Sequence, residues 1–118
     1  MNTVLKGKKG ESYAADFLKA AGYTIVKRNF RHRGGEIDII AEKEDQLVFV
    51  EVKTWDAFYV NDTEYAVNKN KIKKIINTAK LFLTKNNMYT DRCLRFDLIF
   101  ITGNCSEIKH IENAFSEV

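Results

Sequence analysis

The sequence has few of the features that would assign its class directly. Its two cysteines, Cys93 and Cys105, form neither a CxxC pair nor zinc-type spacing, so we expect both to be reduced, buried, small hydrophobes without a functional role. No proline occurs, and nothing else in the sequence explains that absence. No run of about 18 apolar residues and no apolar leader of secretory length is present, which predicts a cytoplasmic protein with no membrane span.

The composition is that of a soluble globular protein. Of its 118 residues, 45% are hydrophobic and 30% charged, which predicts one domain over residues 1–118. The net charge of +3 is small, but the basic residues are clustered. One group is Lys27, Arg28, Arg31 and Arg33, and the other is Lys69, Lys71, Lys73 and Lys74. Such clusters are typical of surfaces that bind a phosphate backbone, and a solvated loop and helix end is the alternative.

Hydrophobic periodicity predicts two helices and five strands. The helices are expected at residues 5–21 and 69–85, and the strands at 23–26, 36–41, 47–53, 94–101 and 108–111. We expect a basic loop up to Arg33, turns at Gly34-Gly35 and Gly103-Asn104, and a loop from Trp55 to Asn68. The order α, β, β, β, α, β, β, with helices apolar on one side, predicts an α/β fold with a mixed sheet flanked by helices.

The strand Phe49-Val50-Glu51-Val52-Lys53 carries two charges on one side. Residues two apart in a strand point to the same face, so Glu51 and Lys53 project together, opposite the valines. If the preceding hairpin closes around residues 42–46, Asp38 lies level with Glu51 on the neighbouring strand. Two adjacent carboxylates need a positive partner, and Lys53 and a divalent metal ion are alternatives. An ordinary surface ion pair of Glu51 with Lys53 is a further interpretation.

A metal at this position would suit phosphodiester hydrolysis. Oxygen ligands favour Mg²⁺ or Mn²⁺, and the backbone carbonyl of Val52 could add a third ligand to Asp38 and Glu51. Lys53 would then position the attacking water. Glu11 begins the inward face of the first helix and could reach the site, although an acid near a helix amino terminus is also favourable by itself. Glu36 shares the face of Asp38, either at the site or as an edge acid paired with a basic residue.

These motifs resemble a known family. GEIDIIA at residues 35–41, followed by LVFVEVK at 47–53, resembles the D…ExK signature of the restriction-endonuclease-like nuclease superfamily. More narrowly, the chain is similar to the YraN family of small bacterial proteins, which in turn resembles archaeal Holliday junction resolvases. The similarity extends through Gly10-Glu11, Arg28-Asn29-Phe30-Arg31, Lys71, Arg95-Phe96-Asp97 and Asn113-Ala114-Phe115.

The resemblance implies a fold and a set of roles. It implies an αβββαβ core, Asp38 and Glu51 as metal ligands, Lys53 as the partner that orients water, and Glu11 as the acid of the first helix. Trp55 departs from the arginine usual in relatives after the EVK motif, which removes one phosphate contact and offers a ring that could stack on an unpaired base. Arg28, Arg31, Arg33, Lys69 and Lys71 are the expected DNA contacts.

Two functions follow from this reading. The first is a metal-dependent DNA endonuclease using Mg²⁺ or Mn²⁺, with branched DNA and Holliday junctions as expected substrates in repair or recombination. The two-fold symmetry of such junctions favours a homodimer. The alternative is a non-catalytic DNA-binding or protein-interaction module on a nuclease scaffold.

Overall fold

The computed structural model describes residues 3–55, 69–102 and 107–116. Most of the predicted loop from Trp55 to Asn68, the turn at Gly103-Asn104 and Cys105 lie outside the described residues, as does the side chain of Trp55. The predicted element order is confirmed. The elements are α1 Thr3–Ala20, β1 Thr24–His32, β2 Gly35–Lys43, β3 Gln46–Trp55, α2 Lys69–Lys85, a short 3-10 helix Asn87–Tyr89, β4 Cys93–Thr102 and β5 Ile108–Phe115.

The five strands form one mixed sheet in the order β1-β2-β3-β4-β5. Neighbouring strands are antiparallel except β3 and β4, which run parallel over their whole length. Parallel neighbours require a crossover connection, and α2 lies within the segment that makes it. The predicted α/β class with a mixed sheet and two helices is therefore confirmed.

The helices cover opposite faces of the sheet. On one face, α1 packs Ala14, Ala15 and Leu18 against a cluster that includes Ile39, Ala41, Val48, Val50, Ile99 and Ile101. On the other face, α2 packs Ile75, Ile76, Ala79 and Phe82 against a cluster that includes Ile37, Ile40, Leu47, Phe49 and Phe96. The central strands are buried on both sides, which is why they read as continuous apolar runs.

The basic segment before Arg33 is a strand, so the predicted loop is wrong. β1 continues to His32, which pairs with Gly35 at the start of β2. The turn is therefore Arg33-Gly34 rather than Gly34-Gly35, and both turn residues have positive φ, 43° and 80°. Positive φ at both central residues defines the two-residue type I′ turn that matches the twist of a hairpin.

Two smaller expectations also need correction. The last strand extends to Phe115 instead of ending at 111. Cys93 is exposed rather than buried, because it is the first residue of β4 and lies beside the β2–β3 turn, where its amide donates to the carbonyl of Asp45 at 2.9 Å. Neither α1 nor α2, the α-helices of the described part of the chain, is long and apolar enough to cross a membrane.

Candidate active site at a fork in the sheet

The two central strands separate where the predicted acids lie. The ladder between β2 and β3 runs from Lys43 opposite Gln46 to Ile39 opposite Val50. Beyond that point β2 continues to pair with β1 as far as Gly35, and β3 continues to pair with β4 as far as Trp55. The sheet therefore forks between its second and third strands.

Asp38 lies at the base of this fork. One further step of the same register would set it opposite Glu51. Its Oδ2 accepts a hydrogen bond from the amide of Val52 at 2.8 Å, so the side chain takes the place of a ladder partner. Because the N–H and C=O of one strand residue point to the same neighbouring strand, the carbonyl of Val52 also faces the fork.

The strand pair β1–β2 changes face at the same position. Ile39 packs in the cluster covered by α1, whereas Ile37, two residues away, packs in the cluster covered by α2. Across from Asp38, between its paired neighbours in β1, is Asn29 with φ of 53°. Asn is among the few residues that adopt this left-handed conformation readily. The shift in alternation leaves Asp38 within reach of groups from both faces of the sheet.

From the side of α2, two lysines reach Glu51. Lys53 Nζ lies 3.4 Å and Lys71 Nζ 3.0 Å from the same carboxylate oxygen, Oε1. Glu51 is buried, with 8% of its surface exposed. Burial and the contact with Lys71 lower the pKa of Lys53. Burial alone would also lower the pKa of Lys71, but its contact with Lys53 and the charge of Glu51 raise it. The pair therefore consists of one retained ammonium and one amine that gives up its proton more readily.

From the side of α1, a second acid cluster meets Asp38. One carboxylate oxygen each of Glu11, Glu36 and Asp38 lie within 4.8 Å of one another. Asn29 holds two of these acids: with its amide nitrogen turned toward them, it donates to Glu11 Oε2 at 3.1 Å and to Glu36 Oε1 at 3.2 Å. Glu11 and Glu36 therefore both lie beside the predicted centre.

The acids of the site are short of positive charge. Burial, and then the charge of Glu51, raise the pKa of Asp38 to about 8, even though the hydrogen bond from Val52 acts in the opposite direction. Burial and the charge of Glu36 raise the pKa of Glu11. Raised carboxyl pKa values are typical of sites that either hold a proton for catalysis or await a cation.

A cavity of about 390 Å³ opens over Asp38 and Glu51. Its walls are the β1–β2 turn and the first two turns of α2. The lining residues are Gly34, Gly35, Glu36, Asp38, Glu51, Asn70, Lys71, Lys74 and Ile75. The floor of the cavity is acidic, and one wall carries Lys71 and Lys74. The cavity therefore places oxygen ligands for a metal ion next to positive charges for an anion.

The predicted DNA contacts have different surroundings. Arg28 Nη2 donates to Ser12 Oγ on α1 at 3.2 Å. Arg31 Nε pairs with Glu36 Oε1 at 3.2 Å, and its side chain is 71% exposed. Arg33 occupies the β1–β2 turn, and Lys69 is the exposed first residue of α2. Lys71 differs from the others because it contacts Glu51.

Two residues of the site were missed as site residues. Asn29 was part of a motif in the sequence but was not predicted as a site residue. The signal that could have indicated it is an asparagine, which tolerates positive φ, among basic residues. Lys74 was counted only as part of a basic cluster. Its signal was the helical spacing i, i+3 from Lys71, which puts both lysines on the same side of α2.

The donor set fits a hard divalent cation. The carboxylates of Glu11, Glu36 and Asp38 lie close enough together to share an ion, the carbonyl of Val52 faces the same fork, and these are the oxygen ligands that Mg²⁺ and Mn²⁺ prefer. Glu51 lines the same cavity, but its Oε1 is paired with Lys53 and Lys71. Burial and the charge of Glu51 raise the pKa of Asp38, and a divalent ion bound there would offset both by favouring the ionised carboxylate.

The fold and the site together define a mixed α/β protein in which buried carboxylates and two partly exposed lysines meet at the fork in the sheet. Over residues 10–101 the sequence matches the model of "Uncharacterised protein family UPF0102", and the chain belongs to this family. A UPF0102 protein of Persephonella marina is 43% identical over 94% of this chain and 93% of its own length. UPF0102 proteins of Treponema pallidum (strain Nichols) and Geobacter metallireducens are 42% and 45% identical, covering 97% and 92% of this chain and 94% and 90% of their own lengths.

Proposed function

We propose that this protein is a metal-dependent DNA endonuclease of the restriction-endonuclease-like superfamily. The observation that carries the proposal is the convergence of Asp38, Glu51 and Lys53 at the sheet fork, with Glu11 from one helix and Lys71 from the other. Burying the carboxylates of Asp38 and Glu51 next to each other is costly, and burial together with the charge of Glu51 raises the pKa of Asp38, which is typical of functional sites.

Each side chain has a role in hydrolysis of a phosphodiester. Asp38, Glu51 and the Val52 carbonyl would hold Mg²⁺ or Mn²⁺, which when bound polarises the phosphate and acidifies water. Lys53, whose pKa is lowered, accepts a proton from the attacking water while the water oxygen forms its bond to phosphorus. Lys71 keeps its charge and offsets the negative charge that develops as the P–O bond to the leaving group breaks.

The activity is tested by incubating the purified chain with linear, flapped and four-way DNA in Mg²⁺ or Mn²⁺. We expect cleavage, and a loss of at least about 100-fold in rate for Asp38→Asn, Glu51→Gln and Lys53→Met. Glu44→Gln, a change of the same charge in the exposed β2–β3 turn, should retain the activity. No cleavage of any of these substrates, or equal cleavage by all variants, would contradict the proposal.

A binding module without catalysis is the second candidate. The observation that favours it is that Glu51 already has two lysine partners within 3.4 Å and so is partly neutralised without a metal. A binding module should bind DNA with strong salt dependence, indifferent to metal and to Glu51→Gln. The nuclease should lose Mn²⁺ binding in the same variant. A homodimer, expected for symmetric junctions, remains a prediction that light scattering with junction DNA would test.

A further inference from the structure

A second cavity, of about 170 Å³, adjoins the first on the side away from the acids. It lies between the end of the β1–β2 hairpin and the second and third turns of α2. Its lining residues are His32, Arg33, Gly35, Lys74, Asn77, Thr78 and Leu81. Gly35 and Lys74 line both cavities, so the two are adjacent at these residues.

The chemistry of the second cavity is opposite to that of the first. Arg33 and Lys74 supply two positive charges, His32 and Asn77 supply further polar atoms, and no carboxylate lines the cavity. Within the described residues, no ion pair engages Arg33 or Lys74, whereas neighbouring Arg31 is paired with Glu36. A pocket whose lining combines two cations, an amide and an imidazole with no carboxylate suits a phosphate rather than a metal ion or an apolar ligand.

The backbone holds the two walls together. A Cβ at position 35 would collide with Thr78 Oγ1, so only glycine allows β2 to begin against α2. Thr78 is itself fixed, because its hydroxyl donates to the carbonyl of Lys74 at 2.7 Å. Arg33 belongs to the two-residue turn, which fixes the position of its backbone relative to β2. The backbone walls of the cavity are therefore defined by the fold, and the exposed side chains of Arg33 and Lys74 extend from them.

We infer that this cavity binds the phosphodiester of a DNA strand next to the one held over Asp38 and Glu51. The inference rests on the proposed function for the identity of the strand, and it adds a register: the strand runs from the acid-floored cavity past Lys74 to Arg33. The shared wall of the two cavities favours adjacent phosphates of one polynucleotide over a free phosphate ion, which would gain nothing from the first cavity. Lys74 lies between the two phosphates and contacts both.

Binding measurements on the full chain test the inference without requiring cleavage. Fluorescent oligothymidylates with one, two or three phosphodiesters are titrated in Ca²⁺ over a range of salt concentrations. We expect a step in affinity of about tenfold between one and two phosphodiesters in the unaltered chain. Arg33→Gln and Lys74→Gln should each reduce that step and lower the salt slope for the longest ligand by about 1.

Lys73 provides a matched control. It is an exposed lysine next to Lys74 on the same helix, and it lines neither cavity. Lys73→Gln should keep the step and most of the slope. Equal losses for Lys73→Gln and Lys74→Gln would overturn the inference in favour of a diffuse basic surface. The inference would also be overturned if the oligonucleotides had no measurable affinity, or if inorganic phosphate displaced the one- and two-phosphate ligands equally well.

The outcome is separable from that of the proposed function. If the expected affinity step and salt slopes are observed but no DNA is cleaved, the subsite is supported and the proposed nuclease activity is contradicted. If cleavage depends on Asp38 but Lys73→Gln and Lys74→Gln bind alike, the nuclease activity is supported and the subsite is contradicted. As a further readout, Arg33→Gln should raise KM more than it lowers kcat, because it contacts the strand away from the reacting phosphate.

Discussion

Two buried aspartates in this protein have opposite surroundings. Asp97 on β4 is fully buried and accepts hydrogen bonds from Arg95 at 2.8 and 2.9 Å, from His110 Nε2 at 2.7 Å and from the amide of Asn113 at 2.9 Å. Burial alone would raise the pKa of Asp97, but these partners outweigh it and hold the pKa below the ordinary value. Asp38 accepts from Val52 but otherwise faces other carboxylates, and its pKa rises.

The difference separates structure from function. Asp97 joins β4 to β5 and, through Arg95, to the hydroxyl of Tyr23 behind α1, so its partners are all supplied within the fold. Asp38 is left without enough positive charge, in a cavity open to solvent. A carboxylate whose partners are complete stabilises the protein, whereas one whose partners are incomplete is a place where an external cation can bind.

The largest effect is expected at the structural aspartate. Asp97→Ala takes the carboxylate acceptor away from the largely buried side chains of Arg95 and His110 and leaves Arg95 with the neutral oxygens of Gln46 and Tyr23. We expect a loss of about 3–5 kcal/mol in the free energy of unfolding. Urea denaturation measures it. Asp38→Asn, which keeps an acceptor for the Val52 amide, should cost far less. Similar losses for the two variants would remove the distinction between the two aspartates.

The second expected effect is a pH dependence of stability. The pKa of Asp38 is about 8 in the folded protein and 3.8 for an unperturbed aspartate, so between these values the folded protein retains a proton that the unfolded chain releases. Stability without metal should therefore fall as pH rises from 4 to 8, with a slope of about 1.4 kcal/mol per pH unit where the difference in bound protons is complete. Above pH 8 this contribution is constant. Asp38→Asn should remove this part of the fall, and a slope unchanged in that variant would assign it to other groups.

A third effect concerns how the acid cluster is held. Asn29→Gly preserves the left-handed backbone but removes the amide that bridges Glu11 and Glu36. We expect Mn²⁺ affinity, measured by calorimetry, to fall about tenfold, which is typical for loss of a group that orients ligands. The free energy of unfolding should change little. Asn29→Ala should lose the same affinity and also stability, because alanine is strained at positive φ. An unchanged affinity in both variants would deny Asn29 a role in positioning.

The smallest effect is expected for the exposed pair beside the site. Arg31 and Glu36 form a contact in which the arginine side chain is largely exposed, and such pairs contribute under about 1 kcal/mol. Arg31→Gln should therefore change the urea midpoint only slightly. A loss comparable with that of Asp97→Ala would show that exposure is a poor guide to the strength of ion pairs in this protein.

Much of the acid pair was accessible from sequence. The alternation of valines with Glu51 and Lys53 assigned the faces of β3 correctly, and Val48 and Val50 do pack beneath α1. The polar segment 42–46 located the hairpin closely enough to bring Asp38 level with Glu51. Both results depend on local periodicity and on the length of one turn, which a sequence displays directly.

The remainder depends on long-range packing. The start of β1 was predicted as a strand, but its continuation from Lys27 to His32 was predicted as a loop. On this edge strand the charged side chains of Lys27, Arg28 and Arg31 face solvent and hide the alternation. The contact of Lys71 with Glu51 arises only after the chain crosses from β3 to α2. At the fork, β2 stays paired with β1 and β3 stays paired with β4, while β2 and β3 no longer pair with each other. No local sequence pattern encodes this separation.

The hydrogen bond from Val52 to Asp38 makes the fork observable in solution. Its amide proton points at a carboxyl group whose ionisation the proposed chemistry requires, so its NMR resonance should move as that group titrates and again when a cation arrives. The Val52 amide peak of the ¹⁵N-labelled protein therefore reports the protonation of Asp38 and the binding of a cation without any substrate.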